Sequence, residues 1–549
     1  MLFALFVVII YNNIMYQRIA LTLIICPLLF GACLTNPEKN GKEITVGEKI
    51  VITVNTKTGR KPISPYIYGV NDFVMNRSVK VFSVRQGGNR YSAYNWENNF
   101  SNAGNDWHHY SDDYLSKSRS PADVALKMAA DAKRKNIPYM ITSLQMAGFV
   151  SADGNRAVLE SETAPSRRFR EVVFAKNAPF ASAPDLNDNY VYMDEYVNYL
   201  VQRLGQGVMH YSLDNEPALW SETHPRVHPG ETLAAEITEK GAALAAAVKA
   251  VDPKAEIFGP ALYGVAAYND FHAPADWDRI KRSKNYDWFI SYYLDAMSEK
   301  SRNAGVRLLD SLDVHFYSEA RGDCRVTECN NAYHTDCVKA RLQASRTLWQ
   351  AGYIEKSWIG SYMRNTLPII NRLNQSIERY YPGTKLSFTE YNFGGGSQIS
   401  GAIAQADALG IFGKNGVYLA TLWPLASNCE YQLSAINLFT DYDGSGSSFG
   451  NTNVSAETSL LENTYVYASI NGSDESVVTI VIANKSLDFH HDMEINIDSS
   501  YQYNTVTPYM IREGSHEIRK GAPLSITGNS FVFRMPPLSL ALLALETAP

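Results

Sequence analysis

Charge is in short supply in this chain of 549 residues: 19% are Asp, Glu, Lys or Arg, and Lys+Arg 50 against Asp+Glu 56 leaves a formal charge of −6. No basic run is long enough to neutralise a row of phosphates, so nucleic acid is not an expected partner. Nucleotide motifs are missing too. The run Gly394-Gly395-Gly396 has neither the Lys-Ser/Thr of a P-loop nor the spaced glycines of a dinucleotide site, and reads as a close approach of loop to strand. Cysteine is rare, six in all, and apolar runs are short except near the N-terminus. What is present is 45% hydrophobic and 12% aromatic residue content, ample for a core, which excludes disordered, collagen-like and coiled-coil classes. Two domains fit the length, since α/β barrels take about 250 residues or more as one unit.

Read from Met15, a candidate start, the N-terminal segment has three parts. Tyr16, Gln17 and Arg18 make a weakly basic head, 19–30 is apolar, and Gly31, Ala32 and Cys33 are small. That is the three-part pattern of an export signal, too short to span a bilayer once cut, with an uncleaved membrane anchor as the alternative. Leu29-Phe30-Gly31-Ala32-Cys33 resembles a bacterial lipoprotein cleavage box, with Phe30 where Leu is usual. The expectation is an exported protein, lipid-anchored through Cys33 at the cell surface or outer membrane, or otherwise secreted. Residues 34–48 are polar and read as a tether. Beyond it lie Cys324, Cys329, Cys337 and Cys429, three of them in the loop RGDCRVTECNNAYHTDC. In an oxidising compartment one or two disulfides are expected, ahead of a zinc site using His334, whose spacings are not those of short knuckles.

Eight short apolar runs, at 67–71, 81–89, 139–146, 210–217, 255–262, 308–317, 385–392 and 416–424, alternate with helical patterns such as PADVALKMAADAKRKN, ETLAAEITEKGAALAAAVKAV and SQISGAIAQADALGIFGKNG. Repeated βα units of this number predict a (β/α)8 barrel over 65–432. From 433 to 549 strand-like runs recur with turn signals between them, predicting a β-sandwich. A strand in 49–64 precedes the barrel and is expected to join that sandwich.

In such a barrel the chemistry sits where strands end. The fourth run ends SLDNEP and the seventh SFTEYN, which sets Asn215, Glu216 and Glu390 at one rim. A single Glu at a strand end is commonly just an ion-paired rim residue. Two carboxylates facing one cleft are what glycosidic bond cleavage needs, one protonated as acid and one charged as nucleophile. Asn215 can hydrogen-bond a sugar 2-hydroxyl. Around the pair, His315 and Tyr317 end the sixth run, where the Tyr hydroxyl can donate to Glu390. Trp423 is a candidate floor under a sugar ring, and Trp96 and Trp107, in a polar Asn-rich loop, are candidate platforms, with Trp358 a weaker one. Arg85, Asn89 and Glu97 either orient hydroxyls or lace the rim. DYDGSGSSFGNTN, at 441–453, has the composition of a calcium loop without EF-hand spacing. A structural calcium is admitted, but the reaction needs no cofactor.

The blocks RQGGNRYSAYNWENNFSNAGNDW, SLDNEPALWSETHPRVHP, FGPALYGVAAYNDF, DVHFYSEA, TEYNFGGGSQISGAIAQADALGIFGKNGVYLATLWPL and FTDYDGSGSSFG resemble glycoside hydrolase family 44, from about residue 50 onward. The resemblance implies a barrel with a β-sandwich, a retaining double displacement on β-1,4-linked glucans, Glu216 as acid/base and Glu390 as nucleophile. Two departures stand out. The Cys-bearing loop looks peculiar to this chain, and Gln86 stands where a Trp is common, at the expected edge of the cleft. The alternatives are a barrel glycosidase for mannan or xylan, which would keep both Glu, and an inactive carbohydrate-binding surface lipoprotein. A monomer is expected.

Overall fold

The eight apolar runs become eight parallel strands closed into a barrel, in sequence order: Gly69–Asn71, Ser83–Gln86, Tyr139–Leu144, Met209–Leu213, Ile257–Leu262, Ser311–Tyr317, Lys385–Asn392 and Leu419–Leu422. They are called strands one to eight below. Nearly every residue in them is buried, as expected when helices cover the outside and side chains fill the inside. The structure is a computed structural model that describes residues 45–329 and 334–547. The expected export segment, Cys33 and residues 34–44 of the expected tether lie outside the described residues. Among those described, no helix is long and apolar enough to cross a membrane.

The amphipathic patterns form the surrounding helices, including Asp123–Arg134, Ala234–Val251 and Ile399–Asn415. The last of these is largely apolar because it is buried nearly all round. It lies between the barrel and the β-sandwich, where the Tyr465 hydroxyl donates to the Ile403 carbonyl at 2.8 Å and Tyr467 to Asp407 at 2.6 Å. Gly410 leaves room for Tyr467: a Cβ there would sit 2.1 Å from that ring.

The C-terminal part is a large mixed sheet, folded into a sandwich around its own core of Ile50, Ile52, Val54, Ile480, Ile482, Ile495 and Leu543, among others. The early strand Ile50–Asn55 runs antiparallel to Thr452–Thr458 and parallel to His491–Asp498, so the barrel is inserted between two pieces of the sandwich. The boundary near 433 needs correction. Helix Glu430–Thr440 follows strand eight, buries Leu433, Ile436, Leu438 and Phe439, and packs on helix Ile399–Asn415. It completes the barrel, and the β-structure starts only at Thr452. Strand Ser539–Thr547 is buried on both faces: Leu540, Leu542 and Ala544 join the core shared with the barrel, while Ala541, Leu543 and Leu545 join the sandwich core.

Candidate active site

An irregularity in strand seven sets the first carboxylate. Asp313 pairs with Ser387 but His315 with Glu390, and on the other side Phe388 pairs with Ala420 but Tyr391 with Leu422. Strand seven therefore holds one extra residue, and such a bulge re-aims the side chain beside it. The bulge is pinned at Thr389. Its N–H and hydroxyl donate to the Asp313 carboxylate at 3.2 and 2.7 Å, and its carbonyl accepts from Asn71 Nδ2 at 3.1 Å.

A strained turn after strand four sets the second. Asp214 and Glu216 have φ of +62° and +43°, a left-handed conformation costing roughly 1–2 kcal/mol for a residue with a Cβ. The buried Asp214 carboxylate holds the turn, accepting from the N–H groups of Met146 at 2.5 Å, Ala147 at 3.1 Å and Asn215 at 2.7 Å. The Glu216 N–H donates to the Ala261 carbonyl at 3.0 Å. Asp214 and Asp313 were missed in the sequence. Each is an acid a residue or two before a candidate, which was the available signal.

These two devices bring a carboxylate oxygen of Glu216 and one of Glu390 within 4.8 Å of each other. His315 Nδ1 sits between them, 2.9 Å from Glu216 Oε1 and 3.6 Å from Glu390 Oε2. The Tyr317 hydroxyl donates to Glu390 Oε2 at 2.6 Å, and Arg85 Nη1 donates to Glu390 Oε1 at 2.6 Å. Arg85 Nη2 reaches Asn215 Oδ1 at 2.7 Å, and Asn215 Nδ2 donates to Asn89 at 3.1 Å.

The two carboxyls are driven apart electrically. Burial, with further help from charged Glu390, raises the pKa of Glu216 against the lowering pull of His315 and Arg85. Burial would raise Glu390 as well, but His315, Arg85 and the Tyr317 hydroxyl outweigh it and hold Glu390 below its usual value. The two shifts run in opposite directions, as the division of labour in acid-assisted nucleophilic displacement requires.

The remaining candidates divide. Arg85 is wholly buried, so it acts on Glu390 and Asn215 rather than on sugar hydroxyls. Trp96 is corrected from platform to core: it has no exposed surface and stacks on Tyr196 at 5.2 Å between centroids. Glu97 is buried among Asp188, Glu195, Lys176 and Arg170, and burial first, then those acids, push it up to about 8. That setting is not the Glu216–Glu390 network. Gln86 is buried too, bonded to Asp72, Thr142 and the Val124 carbonyl, so it is not a cleft edge. Trp107 is 51% exposed. Trp423 stands at the end of strand eight, edge-on to exposed Phe73 at 4.9 Å, with Gly88 close against its ring. Phe73 was not singled out in the sequence, since it falls in a short 3-10 turn with no pattern to mark it. Trp358 is half-buried at the first turn of helix Trp358–Tyr362. Replacing Trp96 by Ala is expected to cost ~3–5 kcal/mol of stability. Trp107→Ala is expected to leave thermal unfolding nearly unchanged and to raise KM for polysaccharide. Thermal melts and initial rates on the two variants check both.

The four cysteines are present as thiols. Cys429 stands at the N-cap position of helix Glu430–Thr440 and is not in the cluster that the other three form, so two bridges among the four are not formed. The carboxylates of 441–453 are engaged in their own turn: Asp443 accepts from the N–H of Ser445 at 2.8 Å, and Asp441 from that of Gly446 at 2.6 Å. The triple glycine is a close approach, since a Cβ on Gly394 would lie 1.9 Å from the Val326 carbonyl.

A (β/α)8 barrel with two carboxyls facing each other across one rim, one just after strand four and one on strand seven, their pKa values pushed in opposite directions, is the architecture of a glycoside hydrolase. Comparison with known proteins gives the particular family. The sequence profile of glycoside hydrolase family 44 matches residues 100–320. Endoglucanase A of Paenibacillus lautus is 47% identical over 504 residues, 89% of this chain and 71% of that one. The crystal structure of Cel44A, a family 44 endoglucanase from Clostridium thermocellum, is 50% identical with a TM-score of 0.88, over 91% of this chain and all of that one. A Paenibacillus polymyxa family 44 xyloglucanase, solved with xyloglucan, is 45% identical with a TM-score of 0.89 over the same shares. The chain belongs to glycoside hydrolase family 44.

Proposed function

We propose that this protein is a retaining endo-β-1,4-glucanase that cleaves xyloglucan or related glucan backbones. The observation that carries the reading is that one carboxylate oxygen of Glu216 and one of Glu390 lie within 4.8 Å of each other, with His315 Nδ1 beside both. Retaining enzymes hold their carboxyls ~5–5.5 Å apart for direct attack, whereas inverting ones leave ~6.5 Å or more for a water. Charged Glu390 attacks the anomeric carbon while protonated Glu216 gives its proton to the departing oxygen. Glu216, now a base, takes a proton from water, which frees the sugar from Glu390 with its configuration restored. Tyr317 and Arg85 keep Glu390 aimed and charged, and Asn215, which keeps one amide N–H uncommitted to the hydrogen bonds above, is placed to hold the sugar 2-hydroxyl. Exposed Trp107 and the Trp423–Phe73 pair offer flat apolar surfaces to a polymer. The names of the relatives, endoglucanase and xyloglucanase, support the choice of backbone.

No cofactor enters this scheme. The N-terminal pattern supports export with lipid on Cys33, and the protein is proposed to act as a monomer. Proton NMR of the first product released from a reduced glucan oligosaccharide tests the central reading. The β-anomer is expected to accumulate first and then mutarotate, and an initial α-anomer would overturn the retaining assignment.

A further inference from the structure

The loop after strand six carries something the hydrolysis does not use. Asp323, Cys324, Cys329 and Cys337 each point one ligand atom inward, and all four atoms lie within 4.8 Å of one another. They come from three separate pieces of backbone. Asp323 and Cys324 sit at the tip of a tight turn closed by a bridge between Arg321 and Arg325. Cys329 ends the next turn, its N–H donating to the Arg325 carbonyl at 3.1 Å. Cys337 lies in the first turn of helix Thr335–Ala344. Sequence spacing argued against a metal because it assumes ligands paired on short knuckles. Three turns converging on a point escape that rule.

We propose that these four residues bind a structural zinc ion. Three thiolates and one carboxylate are a donor set that suits tetrahedral Zn²⁺. A tetrahedral ion with Zn–S bonds of ~2.3 Å sets its sulfurs about 3.8 Å apart. The Cys324 and Cys337 sulfurs lie 2.9 Å from each other, so they open by less than the diameter of an atom to admit it. Each thiol gives its proton to solvent as the ion enters. His334 Nδ1 bonds Asp323 Oδ2 at 2.6 Å, the kind of outer contact that aims a ligating carboxylate. Behind the cluster is the wholly buried Arg341, which donates to the carbonyls of Cys329, Val326 and Phe393. Its fixed positive charge offsets part of the excess negative charge of three thiolates, one carboxylate and a divalent ion. A disulfide between Cys324 and Cys337 is the competing use of the same atoms. It leaves a third thiol and a carboxylate crowded against it, where that thiol can attack the bridge. The ion employs all four groups.

The site's place gives it a purpose. The loop begins directly after His315 and Tyr317, and the Val326 carbonyl abuts Gly394, just beyond Glu390. Zinc would clamp the rim segment that backs the strands carrying three of the groups at the reaction centre.

The test uses the full chain purified without a metal-chelating tag. Elemental analysis is expected to find about one zinc per chain, and cobalt exchanged into the site is expected to give sulfur-to-metal charge-transfer absorption. Cys329→Ser and Cys337→Ser should lose both signals, Cys429→Ser should keep both, and His334→Ala should weaken zinc ~10–100-fold in a chelator competition. Should a variant fail to fold, the cobalt spectrum of the wild-type chain decides alone. Absence of metal after exposure of the reduced protein to zinc, zinc retained in Cys329→Ser, or a Cys324–Cys337 disulfide found by peptide mapping of the unreduced protein would each overturn the proposal.

Discussion

Glu390→Gln is expected to lower kcat/KM on glucan by at least ~10⁴-fold while polysaccharide binding persists. The amide has nearly the shape of the carboxylate and still accepts from Tyr317, but it has no charge with which to attack carbon. Losses of that size arise only where an interaction belongs to the transition state. Reducing-end release against pull-down on insoluble glucan measures the two properties separately. A parallel fall in both would mean that Glu390 holds substrate instead of reacting with it. One structural cost comes along. Arg85, fully buried, loses the only carboxylate in its set of partners, so a melt should accompany the assay to show that the variant is folded.

Glu216→Ala should behave in a way no structural defect can imitate. On glucan, whose leaving alcohol needs a proton, the rate is expected to fall ~10²–10⁴-fold. On an aryl glycoside with a strongly acidic phenol, bond cleavage should be nearly spared, because the leaving group departs without help. The pH profile carries the sign. Activity on glucan requires Glu216 protonated, and burial raises its pKa, so kcat/KM declines as pH climbs through that raised value. With the aryl substrate that alkaline decline should vanish in the variant, while the acidic limb, set by ionisation of Glu390, stays. Equal slowing on both substrates would strip Glu216 of its assigned part.

The barrel was legible because eight short apolar runs alternated with helical patterns of period 3.6, and the two acids were legible because strand ends are where barrels do chemistry. What escaped shares one physical origin. Trp96 looked like a platform because its neighbours are Asn residues, and polarity suggested solvent. Those Asn side chains face inward instead: Asn95 Nδ2 donates to the Ser151 carbonyl at 2.9 Å, and Asn99 Nδ2 to the carbonyls of Ser118 and Ser120 at 3.2 and 2.6 Å. They stand in for water inside a folded loop, so the indole is packed beneath it. Helix Glu430–Thr440 was merged with the β-region because its buried surface wraps most of the way round and blunts the periodicity. Strand Ser539–Thr547 falls inside the predicted β-region, although its two buried faces leave no apolar–polar alternation to mark it.

That strand also fixes the order in which the molecule can be finished. A nascent chain long enough to hold all eight barrel strands still leaves helix Ile399–Asn415 bare on its outer flank, and the early strand Ile50–Asn55, made about four hundred residues before its partners, waits for Thr452–Thr458 and His491–Asp498 to emerge. Only when strand Ser539–Thr547 has left the ribosome can it slide between Asp474–Asn484 and Tyr503–Arg512. Until then the part that carries the chemistry is a sticky intermediate in need of shelter. Synthesis of the barrel thus leaves its sandwich-facing flank uncovered until the strand that closes the sandwich has been made.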